Sequence, residues 1–128
     1  MIILLDTSTS ICKITLLNGT EKIDYEWQAD RTLAKNIFSY LSDSLQEHNK
    51  TLGSLKGIGI FRGPGSFTGL RIGITVVNTM AKTLHIPIVG EDGDNWMEKA
   101  LGRLSRGEND LIVLPLYGRE ARITTPRK

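Results

Sequence analysis

The chain has 128 residues, 40% of them hydrophobic and 23% charged, which is the size and balance of one soluble globular domain. Sixteen Lys and Arg against fourteen Asp and Glu give a formal net charge of +2, too small to favour nucleic-acid binding by bulk electrostatics. The single Cys12 excludes an internal disulfide, and no apolar run approaches the ~20 residues that span a bilayer. Because Asp6 interrupts the apolar start, we expect no secretory signal and a cytoplasmic location.

The first part of the sequence predicts an antiparallel meander of three strands. Residues 1–6 (MIILLD) are fully apolar up to the aspartate, as is typical of a central strand buried on both faces. Alternating residues predict strands at 11–17 and 21–29, and Asn18-Gly19 between them indicates a type I′ hairpin turn. Cys12 lies in the first alternating stretch, where we expect a buried thiol.

The remainder predicts alternating helices and strands. Apolar residues at every fourth position predict an amphipathic helix from Thr32 to about His48, with Asp30 or Thr32 as its cap. A second helix is predicted from Gly69 to Leu84. The other predicted elements are strands at 57–61, 86–90 and 110–117, a third helix at 94–104, and a hairpin partner at 118–125. The order is β-β-β-α-β-α-β followed by a short helix and hairpin, an α/β fold with helices on the faces of a mixed sheet.

Residues 61–73 (FRGPGSFTGLRIG) form a glycine-rich loop that leads into the second helix. Such a loop exposes backbone N–H groups at the helix N-terminus and can receive an anion, an option that Arg62 and Arg71 strengthen. As a nucleotide signal it is weak, because neither Gly-Lys-Ser/Thr nor G-x-G-x-x-G occurs. Ser66 or Thr68 can cap the helix. The candidate anion-binding residues of this loop are Gly63, Gly65, Ser66 and Thr68.

The second helix carries more apolar surface than one sheet can cover. Gly69 and Gly73 share a face, where each glycine costs about 0.5–1 kcal/mol relative to alanine. They permit a close backbone approach, made either by this protein's own sheet or by a partner. A helix that is apolar on two faces usually has a second partner. The predicted interface comprises Leu33, Ile37 and Leu41 in the first helix, Arg62 beside the loop, and Gly69, Arg71, Gly73, Ile74, Val77 and Met80 in the second helix.

Three segments, in consistent order and spacing, carry a family resemblance. They are residues 2–17 (IILLDTSTSICKITLL), 61–73, and 80–90 (MAKTLHIPIVG). Over Ile2 to about Leu104 the chain resembles the TsaB family, also called YeaZ, of tRNA threonylcarbamoyladenosine biosynthesis, and GPGSFTGLR is highly specific for that family. The resemblance implies a lobe of the actin/Hsp70-like (ASKHA, ribonuclease H-like) fold.

The same resemblance implies a non-catalytic subunit. Such a protein binds a TsaD-like catalytic paralogue alongside a TsaE-like ATPase and enables threonylcarbamoyl transfer to tRNA, which it contacts only indirectly. Its two main helices also mediate a homodimer when it is alone. The chain itself is then expected to take no cofactor or metal, ATP and Mg²⁺ being used by its partners. His48 and His85 are far apart, so the His-x-x-x-His metal motif of the paralogue does not occur.

The chain departs from that family in length, since typical members are nearly twice as long. The resemblance divides it into a lobe at 1–104 and a remnant of the second lobe at 105–128, with a basic tail, so we expect a shortened form that lacks most of that lobe. Asp6, Thr7 and Ser8 resemble the family's first phosphate loop. Without an opposing lobe, we interpret residues 6–10 as a structural turn.

Three other functions differ from a non-catalytic subunit in the residues that they require. An actin-like phosphohydrolase needs paired carboxylates around Mg²⁺; Asp6 supplies one, and the acidic residues at 91, 92 and 94 are candidates that equally suit helix capping. A peptidase needs a nucleophile and a base, but Cys12 lies in a strand and neither histidine has a readable partner. An RNA-binding module is disfavoured because aromatic residues make up only 6% of the chain and are not interleaved with basic ones.

Overall fold

The computed structural model describes residues 1–117 as a five-stranded mixed sheet with helices on both faces. The predicted order β-β-β-α-β-α-β and the third helix are confirmed. Short 3₁₀ turns precede α1 and β4. The strands are β1 (Ile2–Asp6), β2 (Ile11–Asn18), β3 (Glu21–Gln28), β4 (Gly57–Phe61) and β5 (Ile88–Glu91), and the helices are α1 (Leu33–Gln46), α2 (Phe67–Leu84) and α3 (Trp96–Ser105).

Strand β1 lies at the centre of the sheet, whose order is β3-β2-β1-β4-β5. It pairs antiparallel with β2 and parallel with β4, so that Leu4 lies opposite Thr15 and Gly59. Ile3 and Leu5 belong to the core beneath α1 and α2, while Leu4 belongs to the smaller core beneath α3. The continuous apolar run of β1 follows from this burial on both faces.

The hairpin between β2 and β3 forms where the sequence predicts it, but its turn type differs. Asn18 pairs with Glu21, so the two loop residues are Gly19 and Thr20. Gly19 has φ 65°, and neither Asn18 nor Thr20 is among the described residues with positive φ. A positive φ at the first loop residue alone matches a type II′ turn, so the type I′ prediction is wrong.

Helices α1 and α2 pack on one face of the sheet. The buried side chains of α1 recur every four residues at Leu33, Ile37, Leu41 and Leu45, as the sequence predicts. Thr32 precedes the helix, but its hydroxyl donates to the carbonyl oxygen of Ala29 at 2.6 Å and makes no capping bond. Thr32 therefore does not cap α1, and the side chain of Asp30, the other predicted cap, lies outside the described part of the chain.

Residues 109–117, which we call the strap, do not form the predicted strand at 110–117. The strap crosses from the outer edge of β5 to the N-terminal end of α2, where Tyr117 lies against Phe67 with ring centroids 4.3 Å apart. Leu111 has φ 68° and Pro115 lacks an N–H group, and both features oppose a regular ladder. The predicted hairpin partner at 118–125 lies outside the described residues. Within residues 1–117 no helix has the length and apolarity needed to cross a membrane.

Candidate functional site

Two loops meet beyond the carboxyl ends of the parallel strands β1 and β4. The side chain of Thr7 is completely buried, and its hydroxyl donates to the carbonyl oxygen of Gly69 at 2.7 Å. The Ser66 amide donates to the Ser8 carbonyl oxygen at 2.7 Å, and the Ser8 amide donates to Asp6 Oδ1 at 2.9 Å. The Thr7–Gly69 and Ser66–Ser8 bonds hold the two loops to each other, and the Ser8–Asp6 bond lies within the loop after β1. Anion binding by this loop pair stays a prediction.

Glycines in and just before α2 allow these loops to lie close to the helix. A Cβ atom at Gly69 would overlap the carbonyl oxygen of Thr7, and one at Gly73 would overlap the Thr7 side chain. At Gly65 it would meet the Cβ of Ser8 at 2.5 Å. The close approach left open by the sequence is therefore made by this chain's own loop after β1. The prediction that Gly69 and Gly73 face a partner is wrong.

Most apolar residues of the predicted interface lie in the core instead. Their side chains are at most 5% exposed, because the four-residue repeat of each helix faces the sheet. A partner could reach them only by unpacking the core, so their assignment to an interface is wrong. These residues are Leu33, Ile37, Leu41, Ile74, Val77 and Met80.

A second set of side chains forms the outward surface of the two helices. The exposed residues of α1 include Ala34 and, one turn later, Phe38, which is 52% exposed. Ala34 and the outward side of α2 surround an open cavity of about 360 Å³ whose lining combines aliphatic groups, hydroxyls and one guanidinium group. We call this surface the α1–α2 face. Its residues are Ala34, Phe38, Thr68, Arg71, Ile72, Thr75 and Val76.

The two predicted interface arginines lie in different places. Arg71 belongs to the α1–α2 face, and its guanidinium carbon lies 5.5 Å from the centre of the Phe67 ring. Arg62 instead forms an ion pair of 3.3 Å with Asp92 and lines a polar cavity near Arg103. Arg71 therefore lies on the α1–α2 face and Arg62 lies apart from it, and an interface role for either arginine stays a prediction.

Two of the three acidic residues at and after the end of β5, Glu91 and Asp92, form ion pairs. Glu91 lies 3.2 Å from Arg103 and 3.5 Å from Lys99. The residue before α3 is Asn95, whose side chain makes no capping bond, so none of the three acids caps this helix. Among residues 1–117 no group of three or more His, Cys, Asp or Glu side chains is placed to hold a metal ion. These charges link β5 to α3.

Two ionisable side chains, Cys12 and Tyr25, have pKa values raised above their ordinary values. Cys12 is 1% exposed, and burial, with a smaller effect from the Asp6 charge, raises the pKa of its thiol to about 12. His48 does have a partner, contrary to the sequence analysis: its Nε2 lies 2.7 Å from the hydroxyl of Tyr25, which donates to Glu47 at 2.7 Å. Burial and the Glu47 bond raise the pKa of Tyr25 to about 12, so the phenol is neutral near pH 7.

The sheet order and the paired loops belong to the TsaD/ASKHA-like fold class. A family model described as TsaD: tRNA N6-adenosine threonylcarbamoyltransferase matches residues 27–92, roughly half of the chain. This matched part contains α1, β4, α2 and β5. The α1–α2 face therefore lies wholly within the matched region.

Comparison with individual proteins identifies the family of this chain within the fold class. The TsaB protein of tRNA threonylcarbamoyladenosine biosynthesis from Haemophilus influenzae is 32% identical over 110 residues, covering 86% of this chain and 47% of that protein. The Escherichia coli TsaB protein is 33% identical over 90 residues, covering 70% and 38%. The structure of YeaZ from Pseudomonas aeruginosa superposes with a TM-score of 0.69 at 29% identity, covering 83% of this chain and 49% of that one. The chain belongs to the TsaB (YeaZ) family, and it spans about half the length of these relatives or less.

Proposed function

We propose that this chain is a non-catalytic subunit of the machinery that makes threonylcarbamoyladenosine in tRNA. In this proposal the α1–α2 face docks on a TsaD-like threonylcarbamoyltransferase. The observation that carries it is the exposed, partly apolar face on the very segment that matches the TsaD family model. The relatives' role in threonylcarbamoyladenosine biosynthesis supplies the pathway.

The shape of the face favours a partner that resembles this chain. Phe38 lies one turn along α1 from Ala34, which lines the cavity together with Ile72 and Val76. In this proposal Phe38 acts as a knob and the cavity as a hole. Two proteins that share this helix pair can pack about an approximate two-fold axis, each placing its knob in the hole of the other. A TsaD-like protein meets that condition. A second copy of the chain meets it as well, and we therefore propose a homodimer when the partner is absent.

The apolar side chains of the face are too few to hold a complex by themselves. Full burial of a large apolar side chain contributes about 1.5–3 kcal/mol, and Phe38, Ile72 and Val76 are already partly buried. Their combined gain is therefore on the order of 4 kcal/mol, close to the lower bound of the ~4–15 kcal/mol that association costs. Arg71 and the hydroxyls of Thr68 and Thr75 must add polar contacts for a stable pair.

A non-catalytic role agrees with the environments of three reactive side chains. Cys12 is buried, Tyr25 is held neutral, and Asp6 accepts a bond from the Ser8 amide. We propose that ATP and Mg²⁺ act on the partner proteins, including a TsaE-like ATPase, and that tRNA is reached through the catalytic partner. We propose that the chain itself takes no cofactor. We also propose that it works in the cytoplasm with these proteins.

Reconstitution tests this function. A TsaD-family enzyme, a TsaE-like ATPase, ATP, Mg²⁺ and tRNA would be incubated with and without the chain, and threonylcarbamoyladenosine would be measured by mass spectrometry of digested tRNA. We expect the product only when the chain is present. Asp6→Asn removes a charge but keeps an oxygen for the Ser8 amide, so it should support full modification. Modification that needs the Asp6 charge would contradict a non-catalytic role, and modification without the chain would contradict the proposed function.

A further inference from the structure

The outer edge of β5 has its polar groups paired by an irregular segment and by one arginine, not by another strand. The Ile88 amide donates to Asn109 Oδ1 at 3.1 Å, and the Ile88 carbonyl oxygen accepts from the Asp110 amide at 2.8 Å. The Gly90 amide donates to Asp110 Oδ2 at 2.9 Å, and the Gly90 carbonyl oxygen accepts from Arg103 Nη1 at 3.2 Å. Each N–H and C=O group that Ile88 and Gly90 direct away from β4 is therefore occupied.

Arg103 contacts several of the groups that cover the β5 edge. Its guanidinium group also binds both carboxylate oxygens of Asp110, and it reaches Glu91 at 3.2 Å and Glu108 at 2.7 Å. Asp110 thus bonds to Arg103 on one side and to the Gly90 amide on the other. Loss of Arg103 removes the cap from the Gly90 carbonyl oxygen and also frees the carboxylate that caps the Gly90 amide.

The strap is attached at few points along the rest of its length. Among residues 109–117 only Val113 is buried, and it lies over Gly90, where a Cβ atom would overlap it. Its backbone bonds to the side chain of Asn78 at 2.9 and 3.0 Å. Leu111 and Leu114 are 72% and 69% exposed, so they contribute little burial. At its C-terminal end the Leu116 amide donates to the Arg62 carbonyl oxygen at 2.6 Å, and Tyr117 packs on Phe67. A segment held by a few polar bonds, one buried side chain and one aromatic contact can open without unfolding the core.

We propose that the strap is a removable cover on the β5 edge, held closed by Arg103, and that the uncovered edge pairs with β5 of a second copy. The edge is self-complementary. In an antiparallel arrangement centred on Val89, Ile88 of one copy lies opposite Gly90 of the other, and their outward N–H and C=O groups satisfy each other. The closed strap occupies the same groups and so blocks this strand addition.

Amide hydrogen exchange, followed by NMR in the whole chain, tests the cover. All proteins would carry Phe38→Arg, so that pairing through the α1–α2 face cannot contribute. In this background the Gly90 amide should exchange by local opening, whereas the Val89 amide, which faces β4, should exchange only on global unfolding. Equal protection of the two amides would overturn the proposal, and this comparison needs no change to the strap itself.

Two variants release the strap at different points. Arg103→Leu removes the clamp, and Asn78→Ala removes the two bonds to Val113. Each should accelerate exchange at Ile88 and Gly90 by roughly tenfold or more, the effect of losing a charge-assisted hydrogen bond or two neutral ones. Arg106→Leu is the matched control, because Arg106 shares the Glu108 partner but is 63% exposed and makes no bond to the β5 edge. Unchanged exchange in folded Asn78→Ala or Arg103→Leu protein would overturn the cover.

Light scattering over a range of concentrations tests whether the uncovered β5 edge pairs with a second copy. Arg103→Leu and Asn78→Ala should form dimers, and Arg106→Leu should remain a monomer. Faster exchange at Gly90 without dimer formation would overturn the assignment of a second copy as the strand that pairs with the open edge.

Discussion

The hydroxyl of Thr7 donates a hydrogen bond of 2.7 Å to the carbonyl oxygen of Gly69, joining the loop after β1 to the first turn of α2 across 62 positions of sequence. This bond and the absence of side chains at Gly69 and Gly73 let α2 lie against the loop. Helix α2 also supplies most of the residues that line the cavity on the α1–α2 face.

Gly73→Ala should therefore destabilise the protein. The added methyl group would overlap the Thr7 side chain, and overpacking of this kind costs about 1–3 kcal/mol, more than the ~0.5–1 kcal/mol that alanine gains over glycine in a helix. The free energy of unfolding measured in urea checks this. Gly102→Ala in α3 is the control, because its methyl group would meet only the guanidinium of Arg106 at 3.4 Å, and it should be neutral or stabilising. Equal stability of the two variants would contradict close packing at Thr7.

Ser66 should carry the N-terminal cap of α2. Its side-chain oxygen accepts from the Gly69 amide at 3.2 Å, so Ser66→Ala should lower the free energy of unfolding by about 1 kcal/mol. Thr68 lies one residue inside the helix, and Thr68→Ala should change the stability by less than about half of that amount. Thermal unfolding followed by circular dichroism measures both. A larger loss in Thr68→Ala would show that the cap is misassigned.

Tyr25 should make folding sensitive to alkaline pH. Burial and the bond to Glu47 raise its pKa in the folded protein from 10.0 to about 12. Since the raised value belongs to the folded state, the stabilisation it reflects is fully present below pH 10 and is lost as the pH rises toward 12. Urea midpoints measured across this range should fall more steeply for the wild type than for Tyr25→Phe. Parallel curves for the two proteins would refute the raised pKa.

Much of the fold could be predicted from the sequence because its local patterns agree with the tertiary structure. The alternation in β2 and β3 and the four-residue repeat of α1 each bury one face, and the apolar run of β1 reflects burial on both faces. The strap could not be predicted in this way. Residues 110–117 are as apolar as a strand, but the β5 edge they approach is capped by the side chains of Asn109 and Asp110.

The outward surface of α2 was also beyond sequence reasoning. Val77 and Val76 are adjacent and chemically identical, yet Val77 is completely buried and Val76 borders the cavity. Only the direction from which the sheet and the Thr7 loop contact the helix distinguishes them. The spacing of Ala34 and Phe38, one turn apart and out of step with the buried Leu33 and Ile37, was the available signal for the exposed stripe of α1.

Binding to a purified TsaD-family threonylcarbamoyltransferase, measured by titration calorimetry, tests the central claim most directly. Phe38→Arg alters a side chain that is 52% exposed, so the protein should stay folded and should lose at least about tenfold in affinity. Leu114→Arg places the same charge on a strap residue that is 69% exposed and distant in sequence from both helices, and it should bind as the wild type does. Wild-type affinity in Phe38→Arg, with folding verified by circular dichroism, would contradict docking through the α1–α2 face.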